Sequence, residues 1–373
     1  MAAKIEICPV EDRKQLGRFI KFPWTIYRAD KYWVPPLIGE QKKLFTPEQN
    51  PFYRHAEVAL FLAEKAGQTV GRIAAIVNRA HNEFYGDKIG FFGFFESTDD
   101  QDISDKLFET AGKWLREKGM DCMRGPMNFS TNEECGLLVE GFDSSPMIMM
   151  TYNPPYYIHL VERNGFYKAK DLLAFWLNTS QPIPERVLRI AEKVSREHKI
   201  HLRTLDVKRF DEEMEKVKLI YNQAWSRNWG FVPMSDEEFY HMAINLKRIA
   251  VPELLFLAEI GGEPAAFSVA VPDFNQALNR INGKLDPISL MKLLWYSRKA
   301  NQLRLMLLGV RAGYRRRGID SLLYIESFKT AKKLGYIGGE VSWILEDNTL
   351  IIRGIEAMGG RVYKRYRIYD KRL

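Results

Sequence analysis

The tetrapeptide Phe-Leu-Ala-Glu stands twice in this chain, at Phe61–Glu64 and Phe256–Glu259. Each copy heads a run in which small and Gly-rich residues separate two β-rich segments, FLAEKAGQTVGRIAAIV and FLAEIGGEPAAFSVAV, the pattern of a hairpin. A second pair of echoes, ERNGFYKAK at 162–170 and EAMGGRVYKRY at 356–366, reads in both places as a helix end, a glycine stop and a new strand. Both echoes recur at an offset of a little under 200 residues. Duplication explains this better than chance, and it requires each half to fold on one plan.

The polar, proline-containing stretch NTSQPIPE, Asn178 to Glu185, interrupts regular structure and sets the expected domains at 1–178 and 179–373. Each half then runs from a short strand (KIEICPV; IHLRTL) through helices to the hairpin, then strand, helix, strand, helix and closing strand. Over Asp211 to about Asn228, Met214, Val217, Ile220, Tyr221, Ala224 and Trp225 recur at helical spacing. SDEE at Ser235–Glu238 is a capping box. A further helix over 320–334 stops at Gly335. This interleaving predicts a mixed α/β, α+β chain with a central sheet in each half. The second half carries an extra segment, Asp273 to Asn301, containing PISLMKLLWYSRK. Its apolar residues between Lys and Arg fit core or dimer packing first, with a lid over an acyl chain or an interfacial helix as the alternative.

No run approaches the ~18 apolar residues of a membrane span, and the N-terminus lacks the long apolar stretch of a secretory signal, so the expected location is cytoplasmic. Three cysteines, Cys8, Cys122 and Cys135, are scattered without metal spacing, and six histidines form no ligand pair, so neither a metal site nor a metal hydrolase is expected. A net charge of +8 suits a polyanionic partner: nucleic acid, anionic lipid or a phosphorylated cofactor. Nucleic acid is disfavoured, because no helix-turn-helix, zinc finger or aromatic RNA-binding motif is present. The charge clusters at Arg311, Arg315, Arg316 and Arg317 and in the closing RVYKRYRIYDKRL.

The first of those clusters lies in GYRRRGID, Gly313 to Asp320, between the apolar run LMLLGV and the segment SLLYIESFKTAKKLG. A strand, a Gly-containing loop and a helix N-terminus in that order form an anion site, with backbone N–H groups and the helix dipole aimed at one point. Gly318 lets the bare backbone approach an anion, and the arginines add charge-assisted donors.

Strand, R-x-x-G-x at Arg315–Ile319, helix to Leu334, strand GEVSWIL, Asn348 and EAMGG at Glu356–Gly360 together resemble the acyl-CoA site of the GNAT acetyltransferase superfamily. The likeness is strongest over about 200–373 and weaker over 4–178. It implies two tandem GNAT-like domains, each a twisted, mostly antiparallel sheet flanked by helices. It also implies that the loop Arg315, Arg316, Arg317, Gly318, Ile319 and Asp320 holds the pyrophosphate of acetyl-CoA or a longer acyl-CoA. The arm would run between two splayed strands, with Val310 as its backbone contact and Asn348 helping to hold it. Asp320 replaces the family's usual Gly or Ala; as a helix N-cap it would turn its carboxylate sideways. Ile355 occupies the position of the family's common Tyr acid. In the first half, STDDQD at Ser97–Asp102 stands where the phosphate loop belongs, so only the second half is expected to keep a cofactor site.

Between Arg124 and Tyr157, Asn128, Glu133, Tyr152 and Asn153 are candidates for binding an acceptor, as is Trp229 in WSRNWGF; equally they are turn and capping residues. Glu346, at the end of the strand beside the expected thioester, is the candidate base. The expected activity is acyl-CoA-dependent N-acyl transfer to a small-molecule or lipid amine by direct attack, with peripheral membrane contact through the extra segment. The alternatives are an aminoacyl-tRNA-dependent transferase and a non-catalytic CoA-binding or interaction module.

Overall fold

In the computed structural model, which describes residues 4–373, both copies of the repeated tetrapeptide open antiparallel hairpins. Their turns, Ala66-Gly67 and Gly261-Gly262, hold both central residues at positive φ (53° and 75°; 62° and 85°), the twist that matches paired strands. Along the chain the elements are β1 (Ile5–Pro9), α1 (Arg13–Lys21), α2 (Pro23–Ile26), α3 (Ile38–Leu44), β2 (Ala56–Lys65), β3 (Gln68–Asn78), α4 (Arg79–Tyr85), β4 (Ile89–Ser97), α5 (Gln101–Glu117), β5 (Cys122–Gly125), β6 (Leu137–Glu140), α6 (Tyr157–Arg163) and β7 (Tyr167–Asn178). There follow α7 (Glu185–Glu197), β8 (Ile200–Thr204), α8 (Phe210–Trp225), α9 (Asp236–Lys247), β9 (Leu255–Ile260), β10 (Glu263–Pro272), α10 (Asn275–Leu278), α11 (Pro287–Ser297), β11 (Gln302–Val310), α12 (Ile319–Lys333), β12 (Gly338–Leu345), α13 (Thr349–Ala357) and β13 (Arg361–Arg372).

The chain divides into two units. One holds the residues up to Leu172 with Leu278–Leu293 and Lys364–Leu373; the other holds Leu173–Ala277 and Leu294–Tyr363. The expected boundary at Asn178 is thus displaced: the chain changes unit inside β7, and two later segments return to the first unit. A polar, proline-containing stretch marks where regular structure stops, whereas a unit ends where packing partners change.

The first unit's sheet runs β1-β2-β3-β4-β5-β13, with β6 also on β13, and all neighbours are antiparallel except the parallel β4–β5 pair. The core lies between this sheet and α5 and α6, around Phe92, Phe108, Tyr157 and Tyr369. The second unit's sheet runs β12-β11-β10-β9-β8, again antiparallel except for β11–β12. One of its faces packs on α7, α12 and α13 through Phe175, Ile325, Phe328 and Ile355. The capping box of α9 forms as read: Ser235 Oγ accepts the Glu238 N–H at 3.2 Å, and the Glu238 carboxylate accepts the Ser235 N–H at 2.8 Å.

The basic C-terminus is drawn into the fold rather than presented as a polyanion surface. Lys364 is fully buried and donates to the carbonyls of Gly141 and Ser144, both at 2.7 Å, and Arg367 pairs with buried Asp171 at 2.8 Å. Core packing holds for the start of the extra segment, where Ala277 and Ile281 are buried, but not for α11, where only Leu293 is buried.

His81 of α4, buried against Phe91 and Tyr85, is held neutral: burial and then the charge of Arg124 depress its pKa from 6.5 to about 4. Asp87 Oδ2, 3.5 Å away, opposes this weakly, because burial pushes that carboxyl toward its neutral form. Between those two values the unfolded chain binds a proton that the folded chain refuses, so stability falls as pH drops from 6.5 to 4, by up to about 3 kcal/mol. In urea unfolding at pH 6.5 and pH 4.5, His81→Leu will lose less stability on acidification than the wild type. Equal losses would remove His81 as the cause.

Candidate functional site

The ladder between β10 and β11 slips by one residue where Val269 faces Leu307 and Ala270 faces Leu305, so Met306 is a bulge without a partner on β10. At the same place the parallel pairing of β11 with β12 ends. Gln302–Leu305 pair with Gly338–Val341, and beyond that point the two strands no longer pair with each other, Met306–Val310 forming one limb, of which Leu307–Val310 stay on β10, and Ser342–Leu345 the other. The result is a V whose free limbs end at Val310 and, across the gap, at Glu346 and Asn348.

A buried ionic cluster fixes the closed end of the V. Arg304 and Glu340 are cross-strand partners one step before the pairing stops. Arg304 is 3% exposed and Glu340 0%, with Nε 3.6 Å from Oε1. Arg304 Nε donates to Ser342 Oγ at 2.9 Å, while the hydroxyls of Ser342 and Tyr363 donate to the two oxygens of Glu340. Each carboxylate oxygen therefore accepts a hydrogen bond, which helps the fold tolerate a buried charge. The sequence reading missed this cluster. Its signal was opposite charges in two otherwise apolar neighbouring strands, QLRLMLLGV and GGEVSWIL.

From Val310 the chain makes a short 3-10 turn, Ala312–Tyr314, and enters α12 through Gly318. Gly318 has φ 74°, and a Cβ there would stand 2.9 Å from Val194 of α7, so conformation and packing both demand glycine. Gly318 is the N-cap and supplies no side-chain acceptor; the first-turn N–H groups of Ile319, Asp320 and Ser321 therefore lack the helix's own partners. The expectation that Asp320 is the cap is corrected: the left-handed glycine takes that position, and Asp320 falls inside the first turn. There its charge, second to burial, holds the Tyr324 phenol above its usual range.

The arginines divide by role. Arg315 donates to the carbonyls of Ala224 (2.7 Å) and Gln223 (3.2 Å), closing the C-terminus of α8. Arg311 donates to the Pro264 carbonyl at 2.7 Å. Arg317 reaches the Gly313 carbonyl at 3.1 Å and lies over the Tyr314 ring. Arg316 is exposed, sits at φ 61°, and has no hydrogen-bond or ion-pair partner among the described residues. A non-glycine residue in this strained region is a mark of functional loops. Ile355 is fully buried in the core with Leu305 and Ile344, so its position offers no acid.

The first unit repeats this geometry and fills it. The β4–β5 pairing also stops early, after Phe91 and Arg124, but the following residues enter the gap. The Met127 N–H donates to the Phe92 carbonyl at 2.8 Å, and the Phe94 N–H to Asn128 Oδ1 at 2.8 Å. Ser97, the strand end equivalent to Val310, receives Tyr156 Oη on its carbonyl at 2.7 Å and gives its N–H to Tyr157 Oη at 2.9 Å. The N-terminus of α5 is capped by Asp100, which accepts the Asp102 N–H at 3.1 Å and pairs with Lys65 at 2.9 Å.

The first-unit acceptor candidates serve this filling and its surroundings. Asn128 bridges Phe94 to Glu134, and Glu133 lies in the turn that follows. Asn153 is buried and clamps the N–H and carbonyl of Leu138 at 2.7 and 3.1 Å; Tyr152 donates to Asp30 at 2.9 Å. Trp229 lies in the second unit, in the turn after α8. Among the described residues no His, Cys, Asp and Glu group has the makings of a metal site, and no helix is long and apolar enough to cross a membrane.

No family model matches the chain. It is 37% identical over 378 residues to a Caulobacter vibrioides protein named bacterial ceramide synthase, covering 100% of this chain and 98% of that protein. It is 36% identical over 371 residues to the Escherichia coli protein YghO, covering 97% and 94%. Among solved structures, a tandem GNAT protein from the clavulanic acid biosynthesis pathway superposes with a TM-score of 0.58 at 13% identity, covering 99% of this chain and 98% of that one. This last likeness is one of fold.

The ionic cluster at the closed end of the V is open to a direct test. Glu340→Leu leaves the Arg304 guanidinium buried without its counter-charge and will cost about 3–5 kcal/mol in chemical denaturation. Arg304→Leu/Glu340→Leu together will recover part of that loss. A double variant no better than the sum of the singles would show that the two charges are not coupled.

Proposed function

We infer, from the premise that this chain belongs to the GNAT superfamily and to the same family as the bacterial ceramide synthase, that it is an acyl-CoA-dependent N-acyltransferase acting on a long-chain lipid amine. The observation that carries the CoA site is the contrast between the two units. One V is filled by its own chain and its helix is capped by a carboxylate; the other keeps free limbs and a glycine-capped helix N-terminus. The relative's name supports the acceptor, because a ceramide is the amide of a sphingoid amine.

On this reading the pyrophosphate of acyl-CoA lies against the N–H groups opening α12, with Arg316 as its free cation, and the arm passes Val310 and Asn348 into the V. The amine nitrogen attacks the thioester carbonyl; the C–N bond forms, the C–S bond breaks, and CoA leaves as its thiolate. The bulge frees the Met306 backbone from the β10 ladder, making it the donor for the charge that develops on the carbonyl oxygen. Glu346, at the open end of β12, takes the proton the nitrogen gives up, and the thiolate is protonated from water because Ile355 offers no proton.

We assign α11 to contact with the cytoplasmic face of an anionic membrane, where such an amine would reside. On this one helix Ile288, Met291, Leu294 and Trp295 are 68%, 72%, 56% and 52% exposed. Lys284, Lys292, Arg298 and Lys299 flank them, all exposed. Apolar residues between basic ones suit the headgroup region of anionic lipid.

CoA binding will appear as thermal stabilisation, about 2.7 kcal/mol when ligand reaches 100 times Kd. Acyl-CoA and free CoA will raise Tm, and Arg316→Glu will weaken that binding by about tenfold or more. No shift with any CoA species overturns the assignment, and a shift with tRNA alone would favour the aminoacyl-tRNA reading. For the helix, sedimentation with phosphatidylglycerol vesicles will pull down the wild type, and Met291→Glu/Trp295→Glu will stay in the supernatant. Equal binding to neutral phosphatidylcholine vesicles, or equal binding by the variant, would reject the membrane contact.

A further inference from the structure

The second unit contains an apolar cavity of about 220 Å³ between α8, α9 and the face of its sheet that α7 and α12 do not cover. Met214 and Val217 of α8, Phe239 and Ala243 of α9, and Val269 and Leu307 of the sheet line it. Protein interiors are close-packed, and a void destabilises in proportion to its volume. This one exceeds the ~150 Å³ apolar cavity that holds a benzene. Its charged neighbours are already engaged. Glu213 is held by Arg203 through two contacts of 2.9 Å, and the Lys247 ammonium lies 4.1 Å from the centre of the Phe210 ring. No polar ligand group is called for inside.

The position of the cavity says more than its size. Val269 and Leu307 are the paired residues immediately before the register slip, so the wall of the cavity meets the Met306 bulge. We propose that this cavity holds the acyl chain of the thioester substrate and thereby sets the acyl length. The proposal rests on the N-acyltransferase reading. If the thioester carbonyl lies at the bulge, the chain attached to that carbon begins beside Leu307 and continues between α8 and α9. The amine arrives from the open side of the V, and its tail has no such starting point.

The test is a chain-length series of acyl-CoAs, from two to sixteen carbons, at a fixed sphinganine concentration, on wild type, Ala243→Phe and the milder Ala243→Leu. In the wild type kcat/KM will rise by about fourfold per methylene, the equivalent of about 0.8 kcal/mol each, and level off once the cavity is full. Ala243→Phe will move that levelling to shorter chains and lower the long-to-short ratio by about tenfold or more, with Ala243→Leu in between. A profile unchanged in both folded variants overturns the proposal. So does a shift in preference among amines with the acyl profile intact, which would place the acceptor's tail in the cavity. A wild type that turns over no acyl-CoA refutes the enzymatic reading instead. In that case fluorescence of cis-parinaric acid, a fatty acid that needs no CoA, decides separately: binding lost in Ala243→Phe supports a chain pocket, and binding equal in all three proteins overturns it.

Discussion

The pairing of Arg304 with Glu340, buried one step before the β11–β12 ladder ends, is the interaction on which the second unit's site depends. Two parallel strands with apolar sequences would ordinarily stay paired along their length. Here the ionic cluster ties down the closed end, and the Met306 bulge turns β11 away beyond it. The same limb leads through Val310 and a short turn directly into the glycine-capped N-terminus of α12.

The first unit shows what the same plan becomes when the gap is not used. In the first unit the chain supplies its own partners around the gap: Asn128 for the Phe94 N–H, two tyrosines for Ser97, and Asp100 for the helix N-terminus, where α12 has no side-chain cap. Buried polar groups left unmade are costly, so the first unit gains stability by satisfying these groups internally. The open groups of the second unit are the converse, and they are informative because a filled version of the same geometry exists in the same chain.

What the sequence made legible followed from local chemistry. The hairpins, the α9 capping box and the glycine-bearing loop before α12 each rest on residues within a few positions of one another. What it hid depended on distant partners. Asn153 reads as a binding residue until its amide is seen to clamp Leu138. Arg315 reads as a phosphate ligand until the end of α8 comes to meet it. The division within β7 was hidden because propensity follows the strand and not its neighbours. Asp320 was misread for a related reason: aspartate is a strong N-cap by preference, but a glycine at positive φ two residues earlier had already ended the loop.

That displacement changes what Asp320 does. As a cap, its carboxylate would be committed to the helix, as Asp100 is in the first unit. Within the first turn it still favours the free helix through the dipole, by about 0.3–1 kcal/mol, while leaving the N–H groups themselves available. If acyl-CoA binds here as proposed, its pyrophosphate finds the donors open but meets a like charge beside them, and Arg316, without an internal partner, is the group placed to offset it. Affinity at this loop is then a balance between one arginine and one aspartate rather than the unopposed attraction that the arginine-rich sequence suggests. On the proposed acyl-CoA reading, such a site would release spent CoA more readily than one with glycine at position 320, which suits a cofactor that is exchanged on every turnover.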